Sequence, residues 1–278
     1  MLDQSGATAM KAIKSQKRRY FVAGAVVLVL AVGAFGLASF YPALGPIAGS
    51  VAPQLYVDSL SGTQIPAHGR YLLVDAASAR LYMIDEGRVQ DSMKVIVGKP
   101  ETPTPELKST IGYETLNPYW HVEPELVRAI IAPRVLKEGD AYLNRQGYEV
   151  VTGFGPNATI IPADSVNWNA VLAGDAKVYV RQLPGPANSL GHFKFDLPYS
   201  DGIYLHDTPK KELFAQDERN LSHGCVRLED APRLARWLLG KDPPAPSAPE
   251  QHIALPRPVP ITISYLDPRS QMWLAALR

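Results

Sequence analysis

Cys225 is the only cysteine in the chain, and it sits in the run Ser222-His223-Gly224-Cys225-Val226-Arg227. A nucleophilic thiol needs a base or a positive field, because a free thiol ionises only near about pH 8.5. It also needs donors for the oxyanion formed on a carbonyl, and backbone room for substrate. The run offers each of these. Gly224 removes a side chain beside the sulfur. His223 and Arg227 supply donors or positive charge. A tight turn with a helix just after it would aim backbone N–H groups at one point. A second histidine, His206, ends the apolar run Ile203-Tyr204-Leu205 upstream of the cysteine. A strand end facing a loop-borne cysteine is a workable base–nucleophile geometry. The plain alternatives are a cysteine that is a small buried hydrophobe and a histidine satisfied at a strand end. One cysteine excludes an internal disulfide and any Cys-rich zinc or iron–sulfur centre within one chain. No metal and no cofactor is expected.

The elements that must position these residues are mostly strands. Tyr71–Asp75, Arg80–Ile84 and Met93–Gly98 are short apolar runs, with Gly87 and Gly98 near their edges. Spacing of about ten residues favours a compact all-β sandwich or barrel over alternating β/α units. Thr102-Pro103-Thr104-Pro105 is stiff and extended. From Val122 to about Lys137 the apolar residues fall at helical spacing, with an interruption near Pro133. Residues 140–169 carry Gly, Asn and Tyr with weak periodicity, so 121–178 reads as a helical and irregular insertion, a candidate lid. Strand character returns at Lys177–Gln182, Gly191–Phe195 and Gly202–His206. Leu228–Leu239 reads as a helix, with Asp230 in its first turn and Gly240 as its stop. Gly240–Pro258 reads as a proline-rich loop. Val259–Tyr265 reads as a last strand, placed at a sheet edge by Pro260.

The chain has 278 residues and a formal net charge of +1. That length allows one or two domains with a real core. Nothing in the charge balance suggests a nucleic-acid partner. The clustered basic residues Lys11, Lys14, Lys17, Arg18 and Arg19 precede Phe21–Tyr41, which has no charged residue. As a helix that segment is about 30 Å long, the thickness of a bilayer core. Basic residues before it predict a cytoplasmic tail at 1–20, an inner-membrane anchor at 21–41 and the remainder in the periplasm. Residues 42–68 read as a linker. A signal peptide cleaved near Ala48 and Ser50 is the alternative.

Tyr204-Leu205-His206-Asp207-Thr208 followed by Ser222-His223-Gly224-Cys225-Val226-Arg227-Leu228 closely resembles the L,D-transpeptidase catalytic domain (the YkuD-type fold). Tyr71–Gly98 is similar to the family's opening strands, and Pro103-Thr104-Pro105 to the segment beside its active site. Asn117-Pro118-Tyr119-Trp120-His121-Val122 and the insertion after it resemble the subclass with a substrate-capping subdomain. The resemblance covers about residues 69–278. It implies a mainly β (α+β) fold, a β-sandwich with the capping insertion at about 121–178.

The resemblance also implies roles. Cys225 is the nucleophile and His206 the general base and later acid, with the carbonyl of Asp207 orienting its ring. The N–H groups of Gly224 and Cys225, with His223 nearby, form the oxyanion hole. Arg227 supports the site or holds a substrate carboxylate. Tyr204 and Trp120 line the donor groove, for which core packing is the alternative, and Ser222 lines it or only shapes the turn. Peptidoglycan tetrapeptide stems serve as donor and acceptor in 3→3 cross-linking, and another amine is a further acceptor. A same-fold hydrolase of stem peptides or protein–peptidoglycan links is the first rival. A non-catalytic envelope scaffold is the second. Papain-like and NlpC-type peptidases place the histidine after the cysteine, and only His252 follows Cys225 here.

Overall fold

A computed structural model describes residues 65–200 and 202–277. The expected tail at 1–20, the anchor at 21–41 and most of the linker at 42–68 lie outside the described residues. Among the described residues no helix is long and apolar enough to cross a membrane.

The main body is mainly β. Three antiparallel strands open it: β1 (Arg70–Asp75), β2 (Arg80–Asp85) and β3 (Arg88–Gly98). Next comes β4 (Leu107–Leu116). After the insertion, β9 (Phe193–Asp196), β10 (Tyr204–His206), β11 (Asn220–Ser222), β12 (Val226–Leu228) and β13 (Gln251–Ser264) complete the sheet. The spatial order is β11-β3-β12-β10-β9-β4-β13-β1-β2, and β2 also pairs with β3, so the sheet closes on itself. The expected sandwich is thus one continuous sheet, bent through the long β3.

Two layers bury the opening strands. Leu72 and Val74 of β1 face the main core, while Tyr71 and Leu73 face a second one. This is why the run is apolar without alternation. Helix α5 (Ala231–Leu239) lays Leu234, Ala235 and Leu238 into the main core. It begins later than the expected Leu228, which belongs to β12. Asp230 is its N-cap, accepting from the Arg233 N–H at 3.0 Å, and Gly240 closes it with φ 73°. Helix α6 (Pro268–Ala276) covers the other face of β1 and β2 through Leu274.

β13 corrects the expected edge strand and the loop before it. It runs 14 residues between β1 and β4. Its pairing with β4 breaks between Ala254 and Val259, around Pro256 and Pro258, and its parallel pairing with β1 starts at Ile261. The prolines therefore sit where the ladder is interrupted or has not begun.

The insertion is more regular than its sequence suggests. β5 (Trp120–Val122), β6 (Tyr148–Val151), β7 (Ile160–Ile161) and β8 (Tyr179–Gln182) form a separate sheet ordered β5-β8-β6-β7. The strand character at Lys177–Gln182 thus belongs to this sheet. Helices α1 (Pro124–Leu126), α2 (Ala132–Glu138), α3 (Asp140–Gln146) and α4 (Trp168–Ala173) accompany it, and its core gathers Val122, Ile131, Val135, Trp168 and Val180. Between α1 and α2 the chain makes a π turn at Val127–Ile131. Pro133, which lacks an N–H, falls in the first turn of α2, so the expected interruption is a widened turn and not a break.

Candidate active site

β10 and β12 are parallel neighbours, with Leu205 opposite Val226 and His206 opposite Arg227. Cys225, one residue before β12, is therefore level with Tyr204. The expected helix after the cysteine is absent at that point, where the chain runs straight into β12. What shapes the thiol's surroundings is the turn from Ser222 to Cys225.

That turn is held from inside. The Ser222 hydroxyl accepts from the Gly224 N–H at 3.1 Å and donates to the Cys225 carbonyl at 2.6 Å. Gly224 has φ +120°, and a Cβ there would lie 3.1 Å from Ile203 Cδ1. Only glycine takes that backbone without strain. Two expectations change as a result. Ser222 is buried with both hydrogen-bonding roles spent in the turn, so it shapes the loop and does not line the groove. The Gly224 N–H points at Ser222, which takes it out of the oxyanion set.

The turn is also clamped from outside. The Thr104 hydroxyl donates to the Gly224 carbonyl at 2.7 Å and accepts from the Gly98 N–H at 2.8 Å. The Lys99 N–H reaches the Ser222 carbonyl at 3.0 Å. A Cβ on Gly98 would stand 2.2 Å from the Thr102 carbonyl oxygen, so the close approach of this segment requires glycine. Thr104 is the functional contact that the sequence alone does not expose. The rigid Pro-Thr-Pro triplet marked its place without showing its bond.

His206 is buried, and its Nδ1 lies 2.5 Å from the Asp207 carbonyl oxygen. A carbonyl can only accept, so Nδ1 carries the proton and Nε2 is left as the free base. Burial pushes the imidazole down to about 3, reinforced by the Arg227 charge, with the Asp207 carbonyl acting against them. The ring is thus neutral at ordinary pH. Asp207 is itself fixed. Its carboxylate accepts from the His192 N–H at 3.0 Å and from Lys211 Nζ at 2.7 Å. A Cβ on Gly191 would collide with that carboxylate.

Cys225 is half-buried, and its Sγ lies 3.7 Å from the Gly202 carbonyl oxygen. Burial pushes the thiol up, while the backbone N–H and hydroxyl of Tyr204, and then the Arg227 and Lys194 charges, pull it down. Arg227 and Lys194 act on His206 as well, so Cys225 and His206 share one cationic surround. Burial lowers the Arg227 guanidinium, and the cysteine opposes this; no carboxylate among the described residues acts on it. Tyr204 is raised well above the usual phenol by burial and by the facing cysteine. Its ring is 5.6 Å from that of His206, with Lys194 Nζ 5.0 Å from its centre. Trp120, on the first strand of the insertion, acts against that rise, as the smallest of the influences on the phenol. His223 is exposed and lowered by partial burial and by Lys99 and Arg227. Among the described residues no group of three or more His, Cys, Asp or Glu could hold a metal ion.

The arrangement is a thiol, a neutral imidazole and a guanidinium without a carboxylate partner among the described residues, on or beside two adjacent strands. It suits acyl transfer through sulfur. The profile of the L,D-transpeptidase catalytic domain (YkuD) matches residues 69–261. The Haemophilus influenzae protein named "Putative L,D-transpeptidase" is 33% identical over 177 residues, which is 63% of this chain and 35% of that protein. This chain therefore spans about a third of that relative's length. Among solved structures, the L,D-transpeptidase from Mycobacterium smegmatis aligns at 14% identity with TM-score 0.35, covering 73% of this chain and 64% of that one. The catalytic domain of the Enterococcus faecium L,D-transpeptidase acylated by ertapenem aligns at 13% identity with TM-score 0.34, covering 72% and 100%.

Proposed function

The chain belongs to the L,D-transpeptidase catalytic domain family, and on that premise we propose that it is a cysteine acyltransferase that forms 3→3 cross-links between peptidoglycan stem peptides. The observation that carries this reading is the pairing of β10 with β12. It sets Cys225 beside Tyr204 and His206 beside Arg227, with the imidazole proton held on the Asp207 carbonyl.

In the proposed reaction His206 Nε2 takes the proton of the Cys225 thiol. The sulfur attacks the carbonyl between the third residue, a meso-diaminoacyl group, and the terminal D-alanine of a tetrapeptide. The Cys225 N–H and His223 receive the oxyanion. The C–N bond breaks, and the departing D-alanine amine takes the proton back from His206. The thioester is then attacked by the side-chain amine of a neighbouring stem. That amine gives its proton to His206, an amide forms and the thiol is restored. Arg227 holds a substrate carboxylate, a role suited to a guanidinium that meets no carboxylate among the described residues. Tyr204 and Trp120 line the donor groove. The reaction uses no metal or cofactor.

The test is to incubate the protein with purified disaccharide-tetrapeptide. Cross-linked dimers that have lost one D-alanine are expected. Trimmed monomers alone would make it a hydrolase of the same fold.

The basic residues before the uncharged segment Phe21–Tyr41 support a single-pass inner-membrane anchor with the catalytic domain in the periplasm. Retention of the intact chain in the membrane fraction after alkaline carbonate extraction is expected, and a mature N-terminus near Ser50 would replace the anchor with a cleaved signal.

A further inference from the structure

A cavity of about 250 Å³ opens in the insertion between α1, the π turn and the connection from α4 to β8. None of the residues around Cys225 lines it. Its floor is aliphatic, formed by buried Val127 and Val171 and half-buried Val178. Its rim carries Arg128, Lys177 and Glu125, all exposed. Among the described residues none of these three forms an ion pair, and neither does the neighbouring Asp175. The Arg128 guanidinium lies over the turn that ends α4: its Nη1 is 3.3 Å from where a Cβ on Gly174 would stand. Lys177 Nζ is 5.7 Å from the centre of the Tyr179 ring.

Two unpaired cations above an aliphatic floor, with one carboxylate beside them, match a carboxylate attached to small apolar side chains. A phosphate or a nucleic acid would have no use for the valine floor. One end of the pocket lies toward the loop that faces the thiol: its lining residue Pro124 follows Glu123, whose Oε1 lies 3.7 Å from the Cβ position of Gly202. The Gly202 carbonyl faces Cys225 Sγ at 3.7 Å.

We propose that this pocket is a carboxylate site that takes the C-terminal end of a short peptide with small aliphatic side chains. Arg128 and Lys177 receive the carboxylate, the valines receive the methyl groups, and Glu125 faces the amide or amine side of the ligand.

The test uses the full chain carrying Cys225→Ala, which cannot be acylated, titrated calorimetrically with D-alanyl-D-alanine and with its C-terminal amide. Saturable binding of the dipeptide is expected, weakened about tenfold in the amide and about tenfold by Arg128→Gln with Lys177→Gln. Arg227→Gln is expected to leave it in place. Both pocket residues are exposed, so an unchanged melting temperature is expected of the double variant. No saturable binding, equal binding of the amide, or loss through Arg227→Gln would overturn the site.

Discussion

The Nδ1 of His206 lies 2.5 Å from the carbonyl oxygen of Asp207, the next residue in its own chain. That bond fixes the tautomer only while the peptide after His206 keeps its orientation. Asp207 holds the peptide by its carboxylate, and Lys211 holds the carboxylate. Lys211 Nζ also donates to the carbonyls of Leu228 and Glu229, at 3.3 and 2.9 Å. One ammonium thus ties the exit of the histidine strand to the exit of the cysteine strand. Lys211→Met is expected to slow acylation of Cys225 by a carbapenem about tenfold or more, since small displacements of a base are costly. Lys211→Arg is expected to recover part of the rate. Equal rates in wild type and Lys211→Met would remove the lysine from a positioning role.

The electrostatics set the pH behaviour of the thiol. Burial raises Cys225 above the ordinary thiol range, and His206 stays neutral down to about 3. The resting pair is therefore thiol and imidazole. Alkylation of Cys225 by iodoacetamide should keep rising with pH through about 9. A plateau reached by about pH 7 would show a standing thiolate–imidazolium pair.

The same histidine contributes a stability slope. Its folded value lies below the unfolded value of about 6.5, so the unfolded chain binds the extra proton between the two. The contribution is complete above about pH 6.5 and is lost as pH falls toward 3. His206→Gln should flatten the acid side of the urea-unfolding profile. A profile parallel to wild type over that window would contradict the buried, neutral ring.

Glu114 works in the opposite direction. It lies on β4 opposite Ile253, fully buried, and neither of its carboxylate oxygens has a hydrogen-bond partner. Burial alone pushes it up to about 7. The folded chain then keeps a proton that the unfolded chain releases above about pH 4.3, so stability falls as pH rises from there to 7. Glu114→Gln should gain about 2 kcal/mol more, relative to wild type, at pH 8 than at pH 4. Equal effects at both pH values in urea unfolding would contradict a buried, unpartnered carboxylate.

The family was more legible in the sequence than the architecture. The Tyr-Leu-His-Asp and Ser-His-Gly-Cys runs are legible because the turn geometry demands particular residues at consecutive positions. The opening strands are legible because burial on both faces leaves uninterrupted apolar runs. The four-stranded sheet of the insertion was hidden because its strands have two to four residues, too short for a period to show. The first part of β13, before Val259, was hidden by its prolines, which read as a loop until the broken register with β4 explains them. The supports of the site are contacts between distant segments. Thr104 meets Gly224, and Lys211 meets Asp207 and β12, with no local pattern to announce either. Glu114 carries no local signal of burial, and only the closed sheet puts it inside.

The central claim is a covalent acyl group on Cys225. It is tested most directly by the intact mass of the protein, acid-quenched during turnover of disaccharide-tetrapeptide. The account predicts a species heavier by the disaccharide-tripeptide acyl group, mapping to the peptide that contains Cys225 and missing in Cys225→Ala. An adduct that survives in Cys225→Ala, or steady turnover of the substrate by that variant, would contradict it.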